Sequence, residues 1–266
     1  MIVNRIYSYP LKSGRAIMME NADIASTGIL NDRTLVTIDE NNRAITGREY
    51  PKLTAIVANY VGNVLQLSEN GRNRIAVAMP KDEHCKVGFK LFRHNVEGLL
   101  MDSMASDWIS TILGTSCRLV WIKDNFRRVD IGRGGEIGDF VGYADVSPIH
   151  LISEESLNHL NSILDKNVTP LHFRPNIVVK GGSAFEEDHW KKVLINGCEF
   201  KVHYTCKRCI FTTIDPMTST KDEDMEPLAT LANFRNDRNE PLTFGIYLVP
   251  RKSGSIQVGN EVTIAR

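Results

Sequence analysis

The chain contains no run of about 18 apolar residues, the length a bilayer-spanning helix needs. Its opening, Met1-Ile2-Val3-Asn4-Arg5, reads directly as a strand and lacks the apolar core and small-residue cleavage site of a signal peptide. Cysteine is scarce. Cys85, Cys117, Cys198, Cys206 and Cys209 are too few and too scattered for a disulfide scaffold. An odd number of thiols without an export signal implies a reducing compartment, so a cytoplasmic protein is expected. An excess of charge of one sign is missing too. The 32 Lys and Arg balance 32 Asp and Glu, so no overall field draws the chain to nucleic acid or to an anionic membrane, and neither is expected as a partner. Any anion site must come from a local cluster of basic residues.

What is present is a series of short strand-like runs. The length suits one large domain or two intimate ones. Ile2–Tyr9, Thr34–Ile38, Thr54–Val61, Leu65–Leu67 and Ile75–Ala78 are rich in β-branched residues and separated by Gly, Asn and Pro. Leu119–Ile122, Asn176–Val179, Val193–Ile195, Phe200–Tyr204, Ile210–Ile214, Phe244–Val249, Ser255–Val258 and Glu261–Ile264 read the same way. Helical spacing is rarer. Ser103–Leu113 puts Met104, Trp108, Ile109 and Ile112 on one stripe with Gly114 as its stop. Ser153-Glu154-Glu155-Ser156 opens a second helix, Ser153 capping it and Leu157, Leu160 and Leu164 forming its stripe. A third spans about Pro227–Arg235. Between Asn125 and Gly142 the chain gathers Arg127, Arg128, Arg133 and five glycines, and reads as a long loop. No fixed-period repeat interrupts this pattern. The fold class is therefore β-rich, from all-β to α+β, and barrel-like rather than a doubly wound sheet.

Cys206-Lys207-Arg208-Cys209 is the densest chemical signal. A structural zinc site usually needs two such pairs; here Cys198 and His203 would have to complete an irregular set. A thioredoxin-like pair should open a helix after a βαβ strand, whereas here strand is expected to follow strand. Two thiols that merely pack are a third reading. Against it, neighbouring cations stabilise a thiolate, and a soft sulfur at a strand end suits a soft or high-valent metal. Spacing alone stops at a reactive or ligating cysteine.

The segment Cys206-Lys207-Arg208-Cys209-Ile210-Phe211-Thr212-Thr213-Ile214-Asp215-Pro216 resembles the signature of the MOSC-domain proteins, in the branch of the mitochondrial amidoxime-reducing component and its bacterial relatives. Further motifs agree in order along nearly the whole chain. They are Tyr9-Pro10-Leu11-Lys12-Ser13, Gly28 to Arg33, Thr46-Gly47-Arg48-Glu49-Tyr50-Pro51, Asp145-Val146-Ser147-Pro148 with the following Leu151 to Leu157, Phe173-Arg174-Pro175-Asn176 and Glu187-Asp188-His189-Trp190. The resemblance implies a MOSC-type β-barrel, residues 121–266, preceded by a smaller N-terminal β domain, residues 1–120, with a pterin-based molybdenum cofactor between them.

By the same resemblance Cys209 is the metal ligand and catalytic residue, and Cys206 is not required as a ligand. Lys12, Ser13, Arg33, Ser147, Arg174 and Asn176 match residues that hold the cofactor. A phosphate dianion needs several charge-assisted donors, which Lys12, Arg33 and Arg174 can supply, although composition alone would leave them as surface salt-bridge partners. The sequence departs from the family after Asp215-Pro216, where Met217 and Ser219-Thr220 replace an acidic residue and a glycine. The implied activity is reduction of N-hydroxylated compounds: hydroxylamines, N-hydroxylated bases or amidoximes. With no four-cysteine cluster run and no flavin-type glycine fingerprint, electrons are expected from a separate donor protein, a flavin or iron–sulfur reductase. The basic loop could attract polar substrates or an acidic patch of that donor. A rival reading is a carrier that holds the molybdenum cofactor, or a persulfide on Cys209, for delivery elsewhere.

Overall fold

A computed structural model describes residues 1–265 except 82–84, 123–126, 129–134 and 236–241, with only the backbone described at 127–128. Its largest sheet has eight strands. In spatial order they are Ile17–Met19, Ile2–Ser8, Ile177–Lys180, Ile149–Ser153, Thr243–Lys252, Cys198–Lys207, Lys192–Ile195 and Val262–Ala265. All pairings are antiparallel except that of Ile149–Ser153 with Ile177–Lys180. The sheet curls back on itself: Ile2 bridges Glu261, and Val262 N–H donates to the Met1 carbonyl. Closure removes the open edges, so the inward face can be apolar throughout. Val3, Ile6, Ile149, Leu151, Ile177, Val179, Val193, Ile195, Phe200, Ile246 and Leu248 fill it, each at most 1% exposed.

A second core lies outside this barrel. The meander Ile56–Val61, Val64–Glu69 and Arg72–Ala78 and the four-stranded sheet Leu35–Ile38, Arg118–Trp121, His94–Leu100 and Lys86–Leu91 supply its strands. The helix Ser103–Leu113 packs over them. Asp102 caps its first turn by accepting from the Met104 N–H at 2.8 Å, and Gly114 ends it at φ 70°, a left-handed conformation that costs glycine nothing. Trp108, Ile109 and Ile112 are buried as the stripe requires, each worth roughly 1.5–3 kcal/mol relative to exposure. Met104 is instead 56% exposed, because it sits beside the capped first turn and faces away from the meander.

The helix at Glu154–Asn161 begins at Ser153, whose hydroxyl accepts from Ser156 N–H, and the third helix spans Leu228–Phe234. One expected strand is absent. Residues Ile210–Thr213 form a 3-10 turn, closed by Thr212 N–H to the Cys209 carbonyl and by the Thr213 hydroxyl to the Ile210 carbonyl. The Thr213 hydroxyl offers a local hydroxyl–backbone bond that competes with the sheet, and the β-branched run conceals that option. The side chains of Arg127, Arg128 and Arg133 lie outside the described residues; Arg127–Arg128 backbone pairs with Phe140–Val141.

Candidate active site

The chain Tyr9-Pro10-Leu11-Lys12-Ser13 leaves the barrel strand Ile2–Ser8 and enters the second core through Leu11, so Lys12 falls at the junction of the two cores. Lys12 N–H donates to the Leu35 carbonyl at 2.7 Å, and Arg33 N–H donates to the Tyr9 carbonyl at 2.9 Å, which ties both basic residues to one corner. Arg174 ends the short helix Pro170–Phe173 just before the barrel strand Ile177–Lys180. Three of these residues carry a left-handed backbone without being glycine: Ser13 at φ 64°, Arg33 at φ 48° and Arg174 at φ 55°. Each costs of order 1–3 kcal/mol, and such strain persists where surrounding structure overdetermines it.

Together these segments wall an open cleft with a volume of about 120 Å³. Lys12, Ser13, Arg33, Ser147, Arg174, Asn176 and Cys209 all line it, so the residues matched to the cofactor and the metal ligand meet in one place, whereas Cys198 and His203 do not line it. Among the described residues six cations line the cleft, Lys12, Arg33, Arg48, Arg174, Lys207 and Arg208, against Asp145 as the one carboxylate. The anticipated local cluster of positive charge in a chain of zero net charge is therefore real.

The cations differ in how they are compensated. Lys12, only 4% exposed, donates to the Tyr143 carbonyl at 2.8 Å and to Asp145. Arg33 is paired with Asp32, and it also donates to Asn176 Oδ1 at 2.8 Å and to the Arg174 carbonyl at 3.1 Å. Arg174 has a carbonyl partner, that of Gly14 at 2.7 Å, and lies over the rings of Tyr9 and Phe211, but among the described residues no carboxylate pairs with it directly. Desolvation pushes its guanidinium down to about 10, partly offset by Tyr9. A desolvated cation with no directly paired carboxylate favours an anionic group beside it. Thr212 adds a buried hydroxyl without a partner.

Cys209 is exposed at the cleft and Cys206 is buried; neither is in a disulfide. The cation on Cys209 is not a chain neighbour. Arg48 Nε donates to its Sγ at 3.4 Å while Arg48 Nη2 binds Asp145 at 2.8 Å. Arg208 turns the other way, donating to Cys206 Sγ at 2.8 Å and to the Phe173 carbonyl at 3.0 Å. Burial pushes the Cys206 thiol up, against the pull of Arg208. Among the described residues no three His, Cys, Asp or Glu side chains gather as a metal-binding group, which leaves the zinc reading of Cys206, Cys209, Cys198 and His203 without a ligand set.

Asn176 has its amide fully engaged. Its Oδ1 accepts from Arg33 and from His150 N–H, and its Nδ2 donates to the Tyr7 carbonyl at 3.1 Å. Ser147 is 3% exposed and lies 3.3 Å from His203 Nδ1. Of the two carboxylates near the signature, Asp145 lines the cleft; Asp215 accepts Met217 and Thr218 N–H groups and caps the turn where this sequence departs from the family. Ser219 takes φ 61° in that turn, the conformation a glycine would adopt freely. Sequence reasoning left out the aromatic supports Tyr9 and Phe211, and also His150 and Tyr247, because nothing local marks a ring that will meet a distant guanidinium.

A cation-lined cleft between a closed β-barrel and a second β core, with a free thiol at its mouth, defines a β-rich protein built to hold an anionic group beside a cysteine. The chain belongs to the MOSC family: the MOSC domain matches residues 139–263 and the MOSC N-terminal beta barrel domain matches residues 1–116. Mitochondrial amidoxime reducing component 2 of Bos taurus is 34% identical over 281 residues, covering 98% of this chain and 82% of that protein. Mitochondrial amidoxime-reducing component 1 of Xenopus laevis is 32% identical, covering 98% and 81%. A solved structure, the YUAD protein of Bacillus subtilis, is similar at 12% identity over 98% of this chain and 93% of that one, with a TM-score of 0.45.

Proposed function

We propose that this protein is a molybdenum-cofactor-dependent reductase of N-hydroxylated compounds, with Cys209 as the protein's ligand to the metal. The observation that carries the reading is the cleft itself: among its described residues, six cations against one carboxylate, with Arg174 directly paired to no carboxylate, line the same cleft as an exposed thiol that Arg48 contacts. That donor set fits a pterin phosphate and a thiophilic metal. The relatives named amidoxime-reducing components support the substrate class.

In this reading Lys12, Ser13, Arg33 and Arg174 hold the anionic end of the cofactor, and Ser147 supports it from the barrel side. Asn176 acts through Arg33, whose guanidinium it fixes. When bound, the cofactor supplies the two-electron reduction that cleaves the N–O bond, a chemistry the side chains lack. The protein's part is geometry and charge. Arg48 spans Cys209 and Asp145 and so sets the sulfur's position relative to the cation cluster. Burial and the Arg208 charge push the His150 imidazole down to about 3, so it stays neutral at physiological pH and adds no seventh positive charge. A separate flavin or iron–sulfur protein delivers the electrons. Placement in the cytoplasm, supported by the free cysteines, belongs to the same proposal, as does a division of the chain near residue 120.

Elemental analysis of protein made in a host that synthesises the cofactor tests the site. Near-stoichiometric molybdenum is expected, lost in Cys209→Ser with the circular dichroism spectrum intact, while Cys206→Ser keeps most of it. Molybdenum retained by Cys209→Ser would refute the ligand assignment. The exposure of Cys209 also favours a second reading, a carrier that hands on cofactor or sulfur. Reduction of benzamidoxime with an artificial electron donor separates the two, since a carrier loads metal without turnover.

A further inference from the structure

The strands Lys86–Leu91 and His94–Leu100 pair with Leu91 opposite His94, so their connection is the two residues Phe92-Arg93. Such tight turns need a positive φ at a central position and select Gly, Asn or Asp for it. The protein meets this need with Gly or Asn at three of its two-residue hairpins, Gly62-Asn63, Asn70-Gly71 and Asn196-Gly197, opposed by Val61 and Val64, Glu69 and Arg72, and Ile195 and Cys198, while Ser26-Thr27 turns without a positive φ before Gly28 at φ 110°. At Phe92-Arg93 a positive φ falls on an aromatic residue instead. Phe92 holds φ 53° with a bulky ring, and burial does not compensate, because the residue is 44% exposed.

The ring's location gives the strain a purpose. Lys12 Nζ lies 5.0 Å and the Arg48 guanidinium carbon 5.2 Å from its centroid. Both cations line the cleft, and Arg48 also donates to Cys209 Sγ. The hairpin tip thus sets a half-exposed aromatic ring against two cations that line the site, one of which reaches the reactive sulfur. A residue that costs backbone energy, stays exposed and stands at a cleft mouth is held there for what it contacts.

We propose that Phe92 is the aromatic wall of the substrate entrance and selects planar N-hydroxylated substrates, amidoximes and N-hydroxylated bases, over small aliphatic hydroxylamines. The inference rests on the reductase reading and adds to it a specificity-determining residue. A flat conjugated N-hydroxyamidine offers a face to the ring; a methylated hydroxylamine offers only a methyl group.

The test compares wild type, Phe92→Gly and Phe92→Trp as loaded proteins. Benzamidoxime binding is measured by equilibrium dialysis, which needs no turnover, and the reduction of benzamidoxime and N-methylhydroxylamine is followed with reduced viologen. Phe92→Gly is expected to weaken benzamidoxime binding about tenfold and to lower the benzamidoxime-to-N-methylhydroxylamine ratio of kcat/KM by a similar factor. Phe92→Trp keeps both. Because glycine relieves the left-handed strain, Phe92→Gly should melt no lower than wild type, so a loss of affinity is not a loss of fold. An unchanged ratio, equal losses on both substrates, or loss of molybdenum from Phe92→Gly overturns the proposal, the last by showing that the ring acts only through Lys12 and Arg48. Wild type that binds benzamidoxime through Phe92 but reduces neither compound overturns the reductase reading and leaves the wall standing; wild type that does not bind it overturns the wall.

Discussion

Arg174 carries its charge in the cleft with a carbonyl and two rings as its contacts, and at neutral pH the attraction of Tyr9, Asp32 and Asp145 offsets only part of that desolvation. Its folded value lies near 10, below the ordinary guanidinium value, so the penalty is present at all lower pH and is relieved only as pH rises through it. Arg174→Met should therefore stabilise the cofactor-free protein by on the order of 1 kcal/mol in urea unfolding while emptying the site of molybdenum. Destabilisation by several kcal/mol would mean that the charge is already compensated. His150 gives the opposite dependence on pH. It titrates near 6.5 when unfolded and near 3 when folded, so its contribution is complete above 6.5 and is lost as pH falls towards 3. By pH 5 this amounts to about 2 kcal/mol. His150→Gln, which can still donate to the Phe244 carbonyl, should lose that much less between pH 7 and pH 5; equal losses would show that other groups control acid stability.

At the scale of elements, the site depends on the loop Thr46-Gly47-Arg48 lying flat against the 3-10 turn Ile210–Thr213. A Cβ at Gly47 would collide with the Phe211 ring, which in turn lies 5.3 Å from Arg174. Gly47→Ala must push the ring and its guanidinium aside. We expect a loss of about 1–3 kcal/mol by thermal unfolding and a fall in molybdenum content out of proportion to it. A variant that keeps full metal content would show the turn to be free of the loop. The two longest helices were legible because their signals are local: Ser153 as cap, Gly114 as stop, and the spacing of Trp108, Ile109 and Ile112; the one-turn helix Pro170–Phe173 offered no such periodicity and was missed. The turn at 210–213 was not, since a β-branched run serves strand and hydroxyl-closed turn alike, and packing against a distant loop decides between them.

For the whole molecule, the two halves are not independent beads. Ile2–Ser8 pairs with Ile177–Lys180, and Asn21–Ala25 pairs with Gly254–Gln257, so the first strands complete the barrel of the later half. A fragment of residues 121–266 should therefore lack a cooperative unfolding transition, because it opens an edge and removes Val3 and Ile6 from the core. Fusing residues 1–30 ahead of it through a flexible linker should restore the transition; a fragment that melts cooperatively by itself would show that the later half folds without those strands.

The sequence by itself determined the β-rich class, the start of the helix at Ser153, the stop at Gly114 and the family, because each is carried by short ordered motifs and by local backbone preference. Only the tertiary structure decided that Arg48 rather than Arg208 reaches Cys209, that Tyr9 and Phe211 carry Arg174, and that Phe92 stands at the mouth of the cleft. Those contacts join residues far apart in the chain. Their partners are chosen by closure of the barrel and by the packing of a second core against it, which no local pattern of residues encodes.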